Sequence, residues 1–125
     1  MIIAVDFDGT CVTHEFPNIG KYIGAVPVLK ELIKKGHKLI LYTMRSGNLL
    51  DEAINWFADN DIELYGVNKN PEQYKWTSSP KVFANIYIDD TALGVPLKLD
   101  EDGTIPRPYV DWDRTRELLK REGAL

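Results

Sequence analysis

The chain has 125 residues, 44% of them hydrophobic and 27% charged, which is the composition of one globular domain able to bury a core without cross-links. The formal net charge of −4 excludes nucleic-acid binding through a generally basic surface, and the single cysteine, Cys11, excludes an intramolecular disulfide. No apolar run has the length of a membrane span, and the chain starts directly with a strand pattern. We therefore expect no membrane partner, no signal peptide and a cytoplasmic location.

A short apolar run at the start of the chain predicts the first element, a buried strand. Residues 2–5 are mostly β-branched, which is typical of a parallel strand covered on both faces. Hydrophobic spacing and turn residues divide the rest of the chain into further elements. In chain order we predict a loop or short hairpin over 11–24, a helix over 25–35, a strand over 38–43, a helix from an N-cap at Ser46 to about residue 59, a shorter strand over 62–67, an irregular stretch over 68–79, one helical turn over 80–84, a strand over 85–88, a hairpin within 95–105 and a helix over 112–121 capped by Asp111.

The alternation of strands and helices predicts the fold class. A strand–helix–strand series needs right-handed crossovers, which give a parallel sheet with helices on both faces. We therefore expect a single α/β domain over residues 1–125, a three-layer sandwich of Rossmann-like type, followed by a C-terminal hairpin and helix.

Two carboxylates mark the end of the first strand. Asp6 and Asp8 are two positions apart, so both can project to one side if the chain stays extended, and Gly9 permits a sharp exit toward Thr10. Open α/β sheets bind ligands at the carboxyl ends of their strands. Two like charges this close repel each other unless a cation lies between them, and a hard, oxygen-binding ion such as Mg²⁺ is the natural candidate.

Other strands of the predicted sheet also end in residues suited to phosphate chemistry. Thr43 ends the second strand, and Asp89 and Asp90 end the fourth. Lys81 precedes that fourth strand and could extend its ammonium to the same edge. Because parallel strands end at one edge of the sheet, these groups can meet there. Carboxylates, a hydroxyl and a lysine around a metal ion make a phosphoryl-transfer site.

Four short motifs of the chain resemble those of the haloacid dehalogenase-like superfamily, in its phosphatase branch. They are Asp6-Phe7-Asp8-Gly9-Thr10, Thr43 after an apolar strand, Lys81, and Asp89-Asp90 after another apolar strand. The motifs span residues 1–90, and the first and fourth are specific in combination, whereas the threonine and the lysine are weak signals alone. Lys69 and Lys75 are rival lysines, but Lys81 has the position that the family's pattern requires.

The resemblance implies a Mg²⁺-dependent phosphoric monoester hydrolase. Asp6 would be the nucleophile that forms an aspartyl phosphate. Asp8 would protonate the leaving oxygen and then accept a proton from the hydrolytic water. The metal would bind Asp6, the backbone carbonyl of Asp8 and Asp89, with Asp90 supporting it directly or through water.

Phosphate binding falls, by the same resemblance, to the residues after the second strand and to the lysine. Thr43 and nearby backbone N–H groups, that of Met44 included, would hold the phosphoryl oxygens, and Lys81 would balance the negative charge. Arg45 follows directly, and substrate contact and a plain surface position are equally good interpretations of it. His14 is interpreted as a surface residue of a loop.

Two functions of other classes stay open beside the phosphatase. Signalling receiver domains also combine a phosphorylated aspartate, an acidic pair, a threonine and a lysine, but their acidic pair comes early and their acceptor later, the reverse of this chain. A catalytically silent phosphate-binding or metal-binding module is the second, and the filled set of catalytic positions argues against it.

No stretch of the chain is long enough for a separately folded cap domain. Residues 11–24 suffice for a flap, and residues 44–80 are used by a helix, a strand and a linker. We expect the first of these stretches, with His14 and Phe16, and residues 74–79, with Trp76, to form the rim of the site. An open phosphoryl site contributes little to substrate selection, so we expect a homo-oligomer acting on a small phosphorylated metabolite.

Overall fold

The computed structural model describes all residues from 1 to 125 and contains six strands and three α-helices. The elements are β1 (Ile2–Val5), α1 (Ala25–Lys34), β2 (Lys38–Leu41), α2 (Gly47–Asp59), β3 (Gly66–Val67), β4 (Ile86–Ile88), β5 (Leu97–Lys98), β6 (Tyr109–Val110) and α3 (Trp112–Arg121). None of the three helices combines the length and the apolar character that crossing a bilayer requires.

Four parallel strands form the main sheet, with β1 in its interior. The strand order is β3-β2-β1-β4, and Ile3 of β1 is in register with Leu39 of β2 and with Ile86 of β4. Because β1 has a strand on each side and packing on each face, its residues from Ile3 to Val5 are almost fully buried. This environment explains its apolar, β-branched composition. The small α/β fold with a parallel sheet that the sequence predicts is confirmed.

The two faces of this sheet are covered differently. Ile3 and Val5 belong to the large core, which contains buried residues of all three helices, whereas Ala4 packs on the other face with Val82 and Ala84. The chain passes from β1 through α1 to β2, and from β2 through α2 to β3, so both connections move in the same direction along the sheet. Because such crossovers are right-handed, both helices lie on the same face. The connection from β3 to β4 steps back in the other direction and covers the second face. Helices on both faces were expected, but this second cover is irregular chain.

The side chain of Gln73 holds the irregular connection together. Its amide nitrogen donates to the carbonyl oxygens of Ser79 and Lys81, and its amide oxygen accepts the N–H of Phe83. Gln73 itself lies in a short 3₁₀ turn, Gln73–Lys75. The helical turn predicted over residues 80–84 was wrong, because backbone groups of this stretch bond to a side chain rather than to one another.

The ends of the helices agree with the sequence better than the ends of the strands. Asp111 caps α3 by accepting the N–H of Arg114, as predicted, and Gly36 follows α1 with a φ of +94°. Ser46 occupies the N-cap position of α2 without forming a side-chain hydrogen bond. The third strand is much shorter than the predicted 62–67, since Ile62 is buried against the core at the end of α2.

The C-terminal hairpin and helix pack against the loop that follows β1. β5 and β6 pair in an antiparallel manner across a long connection, so the second strand of the hairpin lies beyond the predicted range of 95–105. The N–H of Val110 donates to the carbonyl oxygen of Gly9 at 3.0 Å, and Nε1 of Trp112 donates to that of Thr10 at 2.7 Å. Both donors belong to buried residues, so the C-terminal part fixes the path of the chain after β1.

Candidate functional site

Polar residues from three neighbouring strands meet in one pocket at the carboxyl edge of the sheet. Asp6 follows β1, Thr43 follows β2 and Asp89 follows β4, and all three line the pocket. The pocket has a volume of about 290 Å³, and only two of its eleven lining residues, Phe16 and Met44, are hydrophobic. Its chemistry is therefore that of charged and hydroxyl groups, as the strand ends predict.

Three carboxylates in this pocket are close enough to share a metal ion. One carboxylate oxygen from each of Asp6, Asp89 and Asp90 lies within 4.8 Å of the others. Burial raises the pKa of Asp6 to about 8, and the negative charge of Asp89 and a hydrogen bond with Asp90 add to this rise. A cation bound among the carboxylates would favour the ionised form of Asp6. The donors are hard oxygens, which suit Mg²⁺.

Gly9 and Thr10 set the distance between the two sides of the acidic cluster. The hydroxyl of Thr10 donates to Oδ2 of Asp6 at 3.0 Å and accepts the backbone N–H of Asp90 at 3.0 Å, and Thr10 is fully buried. Gly9 has a φ of +80°, and a Cβ atom there would collide with the Asp90 carboxylate. The Gly-Thr pair of the first motif thus lets β4 approach β1 closely at this point.

A buried arginine holds Asp8. Nε and Nη2 of Arg45 donate to the two carboxylate oxygens of Asp8, each at 2.8 Å, and the guanidinium also donates to two backbone carbonyls. The guanidinium lies 5.1 Å from the centroid of the Phe7 ring and 5.2 Å from that of Phe16. Arg45 is only 3% exposed, so the surface interpretation of this residue was wrong. Hydrogen bonding to Asp8 raises the pKa of Arg45 further above its usual range.

Several backbone N–H groups of the residues that line the pocket have no partner within the chain, among them those of Asp8 and Met44. The N–H groups of Asp8 and Met44 donate no hydrogen bond, and the carbonyl oxygen of Asp8 accepts none. The hydroxyl oxygen of Thr43 accepts the N–H of Arg45 at 3.1 Å, which leaves its O–H able to donate to a ligand. Unpaired backbone N–H groups and hydroxyl donors in a pocket are the groups that bind phosphoryl oxygens.

Two loops meet over the acidic cluster and form the rim of the pocket. Nη1 of Arg107, from the connection between β5 and β6, lies 3.2 Å from Nε2 of His14, from the loop after β1. Nη2 of Arg107 lies 3.6 Å from Oδ2 of Asp90. Lys21 connects the same two loops, since its Nζ lies 3.5 Å from Oδ2 of Asp100. The rim therefore carries a cationic group directly above a carboxylate of the cluster.

Comparisons with known proteins relate the chain to one solved structure. No family model matches it, and no curated protein matches it. A conserved protein from Bacteroides thetaiotaomicron is 40% identical, with a TM-score of 0.77 over 98% of this chain and 91% of that chain. The chain belongs to the same family as this Bacteroides protein. That relative is described only as a conserved protein.

Most of the predicted site residues line this pocket, and Lys81 is the exception. Asp6, Asp8, Thr43, Met44, Arg45, Asp89 and Asp90 all do so. The side chain of Lys81 is exposed in a separate depression, with its Nζ 5.9 Å from the centroid of the Tyr87 ring. The predicted position of Lys81 at the sheet edge was therefore wrong. Its backbone is held by Gln73, a contact that no hydrophobic pattern reveals.

Other residues of the site were missed or underestimated from the sequence. His14 and Phe16 line the pocket, so the rim predicted for the first loop is confirmed, whereas Trp76 lies outside this pocket. Arg107 was not predicted at all. The signal available for it was local: an arginine between Pro106 and Pro108, just before a buried strand.

Proposed function

We propose that this chain is a Mg²⁺-dependent phosphoric monoester hydrolase of the haloacid dehalogenase-like superfamily that acts through an aspartyl phosphate. The observation that carries the proposal is the convergence of Asp6, Asp89 and Asp90 beside unpaired backbone N–H groups in one pocket. A buried carboxylate nucleophile, an oxygen-rich cation site and a set of phosphate-binding donors are the components of phosphoryl transfer.

The acidic cluster fits a hard divalent cation. Asp6, Asp89 and Asp90 would hold it through carboxylate oxygens, and the unpaired carbonyl oxygen of Asp8 is available as a further ligand. When bound, Mg²⁺ would supply positive charge to the phosphoryl oxygens and to the nucleophile. The raised pKa of Asp6, about 8, supports this proposal, because burial beside another carboxylate is unfavourable without a compensating cation.

Asp6 is the proposed nucleophile. Its carboxylate oxygen attacks phosphorus, the bond from phosphorus to the alcohol oxygen breaks, and an acyl phosphate forms on Asp6. The N–H groups of Asp8 and Met44 and the hydroxyl of Thr43 are the proposed donors to the phosphoryl oxygens, because their donor hydrogens have no partner within the chain. Water then attacks the same phosphorus, releases inorganic phosphate and restores Asp6.

Asp8 is the proposed acid in the first step and base in the second, and Arg45 sets its position. Asp8 must donate a proton to the alcohol oxygen and later accept one from water. Both of its oxygens accept hydrogen bonds from Arg45, so the transferred proton has to use a lone pair of Asp8 that these bonds leave free. Arg45 is therefore proposed as a positioning residue for Asp8, whereas its place in the sequence is equally compatible with substrate contact and with a plain surface position.

The charge-balancing role that the resemblance assigns to Lys81 is not carried into the proposal. The cationic side chains that line the pocket are Arg45 and Arg107, which face Asp8 and Asp90 respectively. We assign the balance of phosphate charge to the metal ion and to these arginines, since Lys81 lies in a separate depression.

The proposal includes the architecture of a haloacid dehalogenase-like core without a cap. The helices form one layer, the parallel sheet the second, and the irregular segment that contains Val82 and Ala84 the third. Only loops form the rim of the pocket, so we propose that a neighbouring subunit completes its cover. The pocket volume of about 290 Å³ suits a small phosphorylated metabolite.

The hydrolysis of para-nitrophenyl phosphate tests this function. We expect phosphate release that requires Mg²⁺, stops with a chelator and is lost in Asp6→Asn, which keeps the shape of the side chain and removes its charge. Asp113→Asn on the exposed side of α3 is the matched control and should retain turnover. Turnover by Asp6→Asn at the wild-type rate would exclude Asp6 as the nucleophile.

A phosphate-binding module without turnover is the second candidate. The observation that favours it is the bidentate pair between Arg45 and Asp8, which occupies both oxygens of the proposed acid. Such a module would bind inorganic phosphate with Mg²⁺ in a calorimeter and release none from any ester. Mass spectrometry of the Asp8→Asn variant separates the two, since only the enzyme accumulates a phosphorylated Asp6 with an activated ester.

A further inference from the structure

We propose that Arg107, oriented by His14, forms a second anion-binding subsite, so that the substrate is a small phosphate ester with a further anionic group. This inference rests on the proposed function and names the substrate class of the same pocket. The further group is a carboxylate or a second phosphate, since a guanidinium forms the same paired hydrogen bonds with either.

The backbone around Arg107 is held on both sides. Pro106 and Pro108 flank Arg107, and the ring of each proline fixes its own φ angle. Just beyond the prolines, Ile105 and Tyr109 are buried, with 8% and 7% of their surface exposed. β6, which begins two residues after Arg107, is attached to the loop after β1 by the hydrogen bond from the N–H of Val110 to the carbonyl oxygen of Gly9. Arg107 is thus presented to the pocket from a fixed backbone, as a recognition residue requires.

Most hydrogen-bonding capacity of Arg107 remains available to a ligand. A guanidinium has about five N–H donors, and here one of them bonds to Nε2 of His14 at 3.2 Å. The distance of 3.6 Å from Nη2 to Asp90 is an ion-pair contact, longer than an ordinary hydrogen bond. The side chain of Arg107 is 47% exposed, so solvent or a ligand has access to the remaining donors.

His14 orients the arginine by accepting one of its hydrogen bonds. Because a guanidinium only donates, Nε2 of His14 accepts this hydrogen bond, and the ring proton is then on Nδ1. His14 lines the pocket, and the contact of Lys21 with Asp100 keeps its loop next to the loop of Arg107. Groups from two separate loops therefore meet at the rim, next to the acidic cluster in which phosphate is proposed to react.

The rest of the pocket wall explains why the further group should be charged. Of its two hydrophobic members, Met44 is 97% exposed and Phe16 packs against the guanidinium of Arg45. No apolar recess is left for an aromatic or aliphatic leaving group. Four carboxylates line this pocket, so an anionic group of the substrate would be attracted to the exposed guanidinium of Arg107 at the rim.

Matched substrates test the subsite. Glycerol 1-phosphate has one anionic group, 3-phosphoglycerate adds a carboxylate, and propane-1,3-diol bisphosphate adds a phosphate. We expect wild-type kcat/KM to favour the latter two, and Arg107→Gln to lower that preference by about tenfold to hundredfold. Arg107→Lys should restore part of it. Arg121→Gln, at the exposed end of α3, removes the same charge and should leave the preference unchanged. The carboxylate and bisphosphate arms show which anion the subsite accepts.

Binding without turnover separates this inference from the phosphatase proposal. In Asp6→Asn with Mg²⁺, calorimetry should show weaker binding of 3-phosphoglycerate when Arg107→Gln is added, and a smaller change for glycerol 1-phosphate. If the wild-type protein hydrolyses no ester, the phosphatase proposal fails, and this binding difference still decides the subsite. The subsite would be overturned if the preference among the three substrates were the same in the wild-type protein and in Arg107→Gln. It would also be overturned if Arg107→Gln weakened the binding of 3-phosphoglycerate and of glycerol 1-phosphate equally.

Discussion

The indole N–H of Trp112 donates a hydrogen bond of 2.7 Å to the carbonyl oxygen of Thr10, although the two residues are 102 positions apart. Trp112 begins α3, and Thr10 belongs to the motif that connects Asp6 with Asp90. The C-terminal helix therefore supports the candidate site without contributing a residue to its pocket.

Replacing Trp112 by Phe should destabilise the fold through this one bond. The aromatic packing is largely kept, but the buried carbonyl of Thr10 loses its donor, which costs about 1–3 kcal/mol. Urea unfolding measures the change. Trp76→Phe is the matched control, because Trp76 is 63% exposed and its indole N–H makes no hydrogen bond within the chain. Equal stability of Trp112→Phe and the wild-type protein would show that the bond contributes nothing.

Replacing Arg45 by Lys should damage both stability and activity. Lysine keeps the charge but cannot donate to both oxygens of Asp8 and two backbone carbonyls at once, so we expect a loss of about 2–4 kcal/mol. Arg116→Lys is the control, since Arg116 also forms a bidentate pair, with Glu31, at a more exposed position. There we expect a much smaller loss of stability, because solvent screens an exposed ion pair. Similar losses in the two variants would contradict the special position of Arg45.

Gly9→Ala should destabilise the fold by more than the positive φ of Gly9 alone explains. Gly9 and Gly103 have φ values of +80° and +70°, but only at Gly9 would a Cβ meet another group, the carboxylate of Asp90. Gly103→Ala should therefore cost about 1 kcal/mol, and Gly9→Ala at least twice as much. Thermal unfolding measures stability, and Mg²⁺ titration should show weakened binding in Gly9→Ala alone. Unaltered Mg²⁺ affinity in Gly9→Ala would show that the approach of Asp90 does not matter.

The stability of the metal-free protein should fall as the pH rises. The pKa of Asp6 is raised to about 8 in the folded protein, whereas an unfolded aspartate titrates near about 4. The folded state therefore holds this proton more tightly, and the resulting stabilisation is complete below about pH 4 and is lost as the pH rises through about 8. Mg²⁺ should consequently raise Tm more at pH 8 than at pH 5.

Asp6→Asn tests the origin of that pH dependence. The amide cannot ionise, so the metal-free variant should lose less stability than the wild-type protein between pH 5 and pH 8, and Mg²⁺ should raise its Tm less. Asp113→Asn, on an exposed helix surface, should behave like the wild-type protein in both measurements. A pH dependence shared by all three proteins would assign the effect to groups other than Asp6.

The strand-end residues were predictable because parallel register determines where they go. Once β1, β2 and β4 are adjacent, Asp6, Thr43 and Asp89 must share an edge of the sheet. The burial of Arg45 was not predictable in this way. It depends on two aromatic rings and two carbonyl groups that come together only in the tertiary structure.

The positions of Lys81 and Arg107 could not be predicted from the sequence for a related reason. Each lies in irregular chain, where no repeat of 2 or 3.6 residues constrains the direction of a side chain. The path of the backbone at Lys81 follows from the amide of Gln73, and Arg107 is directed by the buried neighbours Ile105 and Tyr109. Side-chain contacts between distant segments decide both positions.

The central place of β1 in the sheet has a consequence for synthesis on the ribosome. β1 is translated first, but its second neighbour, β4, spans Ile86–Ile88, so one side of this apolar strand has no partner until most of the chain has emerged. An unpaired apolar edge of this kind recruits other chains, and a nascent protein has to keep it covered. The proposed metal ligands lie on either side of this late junction, Asp6 directly after β1 and Asp89 directly after β4. Acquisition of the ion would therefore mark the moment when the last strand of the sheet has docked.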